Sequence, residues 1–406
     1  MFRSKLITLC VWSCSIAILT CAPCAHAQGS APLIVVQKEG AKKDSVALAF
    51  RVSGAQGRLF QQTLQRDLER SGWFKLVQGS QATVTLSGSV ADSGAGISSA
   101  LRCAWGSRSF PWTRSAQGQE LVRQQAHQLA DEMVRLIKGE KGIAQTKIAF
   151  VNRRGSNNSD LYVSDVDGFN FRQLTRDNVA IVGPRWAPNG RTLFYTSFIQ
   201  GYPTILKQTL GGDRSTLAPF RGLNTGAAVS PDGSTVALIL SYQGNPELYT
   251  LHLASGRLVR LTSTKTGVEA SPCWSPDGQS IVYVSDVSRT PQLYIIQVAS
   301  KKSTRITFRG SENVNPDWNE KGKIVYATRR SGSYQIAILD PRSGGEAAAE
   351  IIPASAGFEH PSWAPDSRHV ACSNGSSIYI LDALGDPPVQ LTHVAGKWIS
   401  PDWSSK

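Results

Sequence analysis

The sequence predicts an all-β, six-bladed β-propeller over residues 143–406, preceded by a small α/β domain over residues 28–142. A repeat and its two loose ends carry that prediction. The repeat is Pro184-Arg185-Trp186-Ala187-Pro188-Asn189-Gly190, Ala227-Ala228-Val229-Ser230-Pro231-Asp232-Gly233, Pro272-Cys273-Trp274-Ser275-Pro276-Asp277-Gly278, Pro316-Asp317-Trp318-Asn319-Glu320-Lys321-Gly322, Pro361-Ser362-Trp363-Ala364-Pro365-Asp366-Ser367 and Pro401-Asp402-Trp403. Counted on the Trp position, where Val229 substitutes once, the intervals are 43, 45, 44, 45 and 40 residues. Those are the intervals of propeller blades. The strand set that begins at Ile148 has no Trp segment before it, and the Trp403 segment has nothing after it. Joined, the two ends make one blade, which brings the count to six and closes the ring without a bare sheet edge.

Each element has a local reason. Residues 1–27 read as a secretory signal, because Arg3 and Lys5 precede a largely apolar run over 6–19 and Ala25-His26-Ala27 suits cleavage before Gln28. That run is shorter than the roughly 20 residues of a membrane-spanning helix. In the α/β domain, residues 46–50 read as a strand and 57–70 as a helix with Phe60, Leu64 and Leu68 on one face. Short strands come next at 74–77, 83–86 and 101–105. A second helix over 119–138 stacks Val122, Ala126, Leu129, Met133 and Ile137 at helical spacing. Such a domain needs a partner surface for its second face, and Gly139-Glu140-Lys141-Gly142 reads as the hinge. Within each blade, Pro presets φ, Asp or Asn caps the turn and Gly accepts positive φ, so a hairpin succeeds the Trp segment. Runs such as Ile281-Val282-Tyr283-Val284 and Leu293-Tyr294-Ile295, with a last run ending in Leu-Thr-like triplets, bring each unit to four strands.

Composition narrows the function classes. With 41% hydrophobic and 18% charged residues, the chain is neither disordered nor collagen-like. Lys plus Arg outnumber Asp plus Glu by 43 to 30, a formal net charge of +13, yet no basic block exceeds the pairs Arg153-Arg154, Lys301-Lys302 and Arg329-Arg330. That dispersion argues against nucleic acid and favours anionic partners or an acidic envelope surface. Four of the seven cysteines fall in the signal, and Cys103, Cys273 and Cys372 read as buried free thiols. The sequence has no Gly-x-Ser-x-Gly, no phosphate-binding Gly-x-x-x-x-Gly-Lys and no His-x-x-x-His. No catalytic residue, metal or cofactor is expected. His127 reads as a face residue of the second helix.

The recurring Trp and Asp residues read as framework, aromatic wedges between twisted sheets and turn caps. Function is therefore expected in the variable residues before each Trp, which lead into the innermost strand at the channel mouth. These are Asn224 and Thr225, Glu269 and Ala270, Asn313 and Asn315, Glu359 and His360, and Lys397. The Glu359-His360 pair reads as a polar rim contact ahead of an acid–base unit.

Particular residues also resemble a family. Leu68-Glu69-Arg70-Ser71-Gly72-Trp73-Phe74, the junction Lys141-Gly142-Ile143-Ala144-Gln145-Thr146-Lys147-Ile148-Ala149-Phe150-Val151, and Leu161-Tyr162-Val163-Ser164-Asp165-Val166-Asp167-Gly168-Phe169-Asn170 resemble the TolB family. The resemblance implies a non-catalytic periplasmic scaffold of the Tol-Pal system, monomeric and peripheral to the envelope membranes, that maintains outer-membrane integrity and constriction at division. It also implies a Pal-like lipoprotein, or a colicin that mimics it, at the propeller mouth. A TolA-like inner-membrane protein would engage the extended N-terminal arm, here Gln28, Leu33, Ile34, Val35 and Val36. The sequence departs from the family where Leu223-Asn224-Thr225-Gly226 keeps the Asn but lacks the His, and where Ala270 stands in place of Thr. The rival readings are a secreted propeller that binds polysaccharide or peptidoglycan, for which Trp398 speaks, and the propeller part of a hydrolase. If the signal is read correctly, mass analysis of the exported protein finds Gln28 at its N-terminus; a chain beginning at Met1, or one acylated at Cys24, would contradict it.

Overall fold

The structure, a computed structural model, describes residues 41–79 and 81–405; the expected signal and the arm residues Gln28, Leu33, Ile34, Val35 and Val36 lie outside them. The described residues belong to one unit that runs from Val35 to Lys406. Its N-terminal part comprises β1 (Asp44–Val52), α1 (Gly54–Arg70), β2 (Phe74–Leu76), β3 (Val84–Ser93), β4 (Gly96–Trp105), β5 (Arg108–Gln117) and α2 (Gln119–Lys138). The sheet order is β2-β1-β3-β4-β5, with β1 parallel to both neighbours and the remaining pairs antiparallel. Phe60, Leu64 and Leu68 of α1 and Val122, Ala126, Leu129 and Met133 of α2 are buried with Val46, Leu86, Ile97 and Leu101 of the sheet.

Two features of this part differ from expectation. β5 is absent from the predicted set because Pro111, Arg108 and Arg114 give it a loop's composition; it is an edge strand, where proline is tolerated. The second face of the sheet needs no partner, since β4 alternates buried Ile97, Ser99, Leu101 and Cys103 with exposed Ser98, Ala100 and Arg102. An antiparallel sheet can face water in this way.

Six four-stranded sheets form the propeller. Their innermost strands are Ile181–Trp186, Asn224–Val229, Glu269–Trp274, Glu312–Trp318 and Glu359–Trp363 for blades two to six. Blade one takes its innermost strand, Trp398–Trp403, from the C-terminus, and that strand lies antiparallel to Lys147–Arg153 with Ile399 opposite Val151 and Trp403 opposite Ile148. The predicted ring closure is therefore present. Trp403 Nε1 donates to Thr146 Oγ1 at 2.8 Å, which ties the last strand to the entry of the first. The cores lie between neighbouring blades: Trp274, for example, packs with Ala237 and Ile239 of the preceding blade and Ile281 of its own.

The α/β part covers one face of this ring. Arg123 donates to Asp167 at 2.5 Å, Arg70 to the Val166 carbonyl at 3.1 Å, and the Arg368 guanidinium lies 4.4 Å from the Trp73 ring centroid. Lys141 pairs with Glu320, and Lys321 with Glu140. All the propeller groups in these contacts sit in turns between a blade's first and second or third and fourth strands. The 139–142 segment is pinned as well as short: Gly139 closes α2 at φ 70°, and a Cβ on Gly142 would lie 2.1 Å from Asp131 Oδ1. Asp131 in turn accepts from the Ala144 N–H at 2.8 Å. Among the described residues, no helix is long and apolar enough to cross a membrane. The opposite face, where the chain enters each innermost strand, is left uncovered by the described residues of this domain.

Removing residues 401–406 is expected to destabilise the protein by at least about 3–5 kcal/mol, the cost of losing a buried aromatic alone. Chemical denaturation measures it, and an unchanged midpoint would show that the ring does not depend on this strand.

Candidate functional site

Five residues before each Trp position stand Ile181, Asn224, Glu269, Asn313, Phe358 and Trp398, and all six are buried. Three residues expected on the rim, Asn224, Glu269 and Asn313, are thus inside the propeller body. Asn224 Nδ2 donates to the Phe220 carbonyl at 2.7 Å and to Pro203 in blade two at 3.2 Å. Asn313 Nδ2 reaches Gln292 Oε1 at 2.8 Å and the Arg309 carbonyl at 2.6 Å. Each side chain clamps its own strand to the blade before it, which explains why a short polar group is buried there. Trp398 is likewise enclosed: its ring centroid lies 5.0 Å from Tyr162 and 5.6 Å from Phe150, and its Nε1 donates to Val394 O at 2.7 Å. It offers no platform for a sugar, so the polysaccharide reading loses the residue that spoke for it.

Glu269 is the acidic member of this clamp. Its neighbour Glu247 accepts from Arg260 at 3.0 Å, Thr262 Oγ1 at 2.6 Å and the Thr264 N–H at 2.5 Å. Glu269 accepts from the Ser285 hydroxyl at 3.2 Å and lies against the Glu247 side chain of the preceding blade, and its Oε2 is buried without a donor. Burial, with the charge of Glu247 as the next cause, pushes the Glu269 carboxyl up to about 8.

Three residues before the Trp position the backbone turns left-handed in every blade. Gly183, Gly226, Ser271, Asn315, His360 and Ser400 have φ between 48° and 65°, each at a break in the ladder to the second strand. Such a bulge bends the strand and re-aims the side chains beyond it. Asn315 and His360 are half-buried at this bend. Thr225, just before it, accepts a hydrogen bond from Thr196 at 3.0 Å, and Ala270 is half-buried at the equivalent position. Glu359 is half-buried beside Glu312, which accepts from Tyr334 and from Arg329 at 3.2 Å. Burial pushes Glu359 up to about 7, against the opposing charge of Arg329. Burial also drops the His360 imidazole to about 4, and no hydrogen bond joins it to Glu359. Lys397 is exposed.

Five residues that immediately precede a Trp position, Arg185, Cys273, Asp317, Ser362 and Asp402, form a ring of contacts about the axis. Asp402 accepts from the Trp186 N–H at 2.6 Å, Asp317 from the Trp363 N–H at 2.7 Å, Ser362 Oγ from the Trp403 N–H at 3.0 Å and Cys273 Sγ from the Trp318 N–H at 3.3 Å. Each ties one blade to the next. Arg185 of blade two bridges Asp402 at 2.8 Å and, across the axis, Asp317 of blade five at 3.3 Å. Burial raises the Asp402 carboxyl to about 6 against the pull of Arg185. The three described cysteines are free, buried thiols, and burial pushes the pKa of each up, that of Cys103 to about 12.

Sequence reasoning missed the exposed apolar residues of the uncovered face. Ile199, Tyr202, Tyr242, Val287, Phe308 and Val394 lie in loops between second and third strands or between blades, and Phe308 and Val394 are 64% and 60% exposed. Phe220 and Tyr242 stack with centroids 5.3 Å apart. Aromatics inside turn-forming context, as in Gly201-Tyr202-Pro203, were the signal that could have found them.

One trio has the composition of a metal site. Asp67, His127 and Asp167 each offer a ligand atom within 4.8 Å of the others. The Arg123 guanidinium already occupies the position of a cation there, bonding Asp167 and lying 3.3 Å from His127 Nε2, while His127 Nδ1 faces Asp67 at 2.7 Å. His127 is therefore a helix-face residue that joins the two helices through Asp67 and lies beside the inter-domain Arg123–Asp167 pair.

Fold and site define a ring-closed six-bladed propeller with one face occupied by its own α/β domain and the other open. The sequence profile of the TolB beta propeller domain matches residues 134–406, and the chain belongs to that family. It is 31% identical over 260 residues to the Tol-Pal system protein TolB of Bordetella parapertussis, a match that spans 57% of this chain and 58% of the relative's length. It is 41% identical over 107 residues to the protein of the same name from Nitrosomonas europaea, 26% of this chain and 25% of that one. The fold is that of crystalline TolB from Acinetobacter baumannii, with a TM-score of 0.77 at 24% identity over 90% of this chain and 98% of the other.

The Glu269 environment has a signed pH consequence. A carboxyl raised from 4.5 to about 8 on folding contributes stability that is fully present below pH 4.5 and is lost as pH rises through about 8. Glu269→Gln removes that loss, so thermal melts should show its advantage over the wild type widening between those limits. Parallel stability curves would show that Glu269 is ionised in the folded protein.

Proposed function

We propose that the chain is a non-catalytic periplasmic scaffold of the Tol-Pal system that docks a Pal-like lipoprotein, or a colicin mimicking it, on the open propeller face. Residues 28–36 engage a TolA-like inner-membrane protein, and the assembly supports outer-membrane integrity and constriction at division. The observation that carries this reading is the pairing of family membership with a two-faced ring, in which exposed apolar side chains gather on the face the α/β domain leaves free. Exposed apolar groups set in a polar rim mark a protein interface. Glu359, His360 and Lys397 stand among them, whereas Asn224, Glu269 and Asn313 act from beneath by holding the loops that display them.

Calorimetric titration of the full chain with the lipid-free domain of the cognate Pal-like lipoprotein tests the reading. Phe308→Ala and Lys397→Ala together should weaken binding by about 1–3 kcal/mol per dominant contact and change stability by less than about 0.5 kcal/mol. Deleting residues 28–36 should leave that binding intact and abolish binding of the TolA-like partner, since an extended segment binds by adding backbone hydrogen bonds to a partner's edge. Equal affinity for wild type and double variant would move the site off this face.

A further inference from the structure

We infer that the open face captures its partner by charge and that the partner presents an acidic protein surface to it; this rests on the docking reading above. Arg176, Arg221, Lys265, Arg289, Arg309 and Lys397 are all exposed in the loops of this face. Five lie in the connections between successive blades, one to two, two to three, three to four, four to five and six to one, and Arg289 lies in a loop of blade four, so they are spread around the mouth. Among the described residues, none of the six forms an ion pair with a carboxylate.

The acids of the same face are not free to balance them. Asp177 is paired with Arg214, Glu247 with Arg260 and Glu312 with Arg329. Asp286 accepts from the Val268 N–H at 2.7 Å, and Glu269 and Glu359 are burial-raised carboxyls beneath the surface. Among the described residues, no fully exposed Asp or Glu lies in these loops, whereas Asp213, Asp232, Asp277 and Glu320 are exposed in the turns of the opposite face. The open rim thus carries positive charge with no exposed carboxylate to balance it, whereas the opposite face mixes exposed bases such as Arg191, Arg257 and Lys301 with those exposed acids. A one-signed rim around an apolar centre raises the encounter rate with an oppositely charged surface and suppresses like-charged ones. The exposed apolar groups between the basic residues favour a folded protein over a polyanion, since a polyanion would leave Tyr202, Tyr242 and Phe308 without a partner.

Stopped-flow association of the full chain with the lipid-free domain of the cognate Pal-like lipoprotein reads this. The rate constant for association should fall about 10-fold or more between about 20 and 300 mM salt, the range over which the screening length shrinks to a few ångströms. Reversing Arg176, Arg221, Lys265 and Arg289 to Glu should lower it about 10–100-fold with little change in dissociation. The same four positions as Gln should give an intermediate effect, and this set keeps the measurement available where the reversal disturbs folding. A complex that forms at a rate indifferent to salt and to both sets overturns the inference and spares the docking reading. Absence of any complex strikes the docking reading itself. Vesicles rich in phosphatidylglycerol and soluble peptidoglycan fragments are the controls: rim-dependent binding to either, equal to that of the protein, would replace the acidic protein surface as the partner.

Discussion

The structure depends on the joint between the two chain ends. Trp398–Trp403 pairs with Lys147–Arg153, Trp403 reaches Thr146, and Asp402 passes the connection on to the Trp186 backbone N–H. Without that joint every blade would still have its four strands, but two sheet edges would stand open and the axial ring of Asp402, Arg185, Asp317 and Ser362 would lack a member. A propeller is stable as a circle because each blade buries its faces only against two neighbours.

The same strands serve both mechanics and display. At each innermost strand the left-handed residue at the bulge separates two tasks. Residues before it point into the blade body and clamp the preceding blade, as Asn224, Glu269 and Asn313 do. In four blades the residue before the Trp position, Cys273, Asp317, Ser362 or Asp402, caps the backbone N–H at the next blade's Trp position. A position occupied by an acid in one blade is an amide or an aromatic in others, so variability along the repeat reflects local fit to a neighbouring blade as much as partner choice. This is why a rule that equates variable with exposed fails here.

The two faces are divided by the turn chemistry. The Pro-Asp-Gly hairpins are short and uniform, and on their face the α/β domain rests through Arg123 and Arg70 on the turn of blade one that holds Val166 and Asp167, and through Trp73 on Arg368 of blade six. The loops on the other side vary in length and carry aromatics and basic residues. A docking face built on loops held by a rigid ring is the arrangement that lets partner recognition change without disturbing the core.

Much of the fold was legible because its causes are local. The Trp spacing, the turn residues and the mismatch of the two ends determined a closed ring of six blades, and the helical stacking of Val122, Ala126, Leu129 and Met133 determined α2 to the residue. β5 was not legible, because an edge strand with Pro111 has a loop's composition and takes its pairing from β4. Of the expected mouth residues, Lys397 lies on the surface, Ala270, Asn315, Glu359 and His360 are half-buried, and Thr225 is nearly enclosed, whereas Asn224, Glu269 and Asn313 are inside. The reason is that strand direction is readable from sequence, but the bulge that rotates each innermost strand, and the neighbouring blade that receives its side chains, exist only once the ring has closed. The sequence by itself determined how many blades there are and how they join; the tertiary structure alone decided which side chains face a partner, because exposure at a blade junction is a property of two blades and not of one repeat.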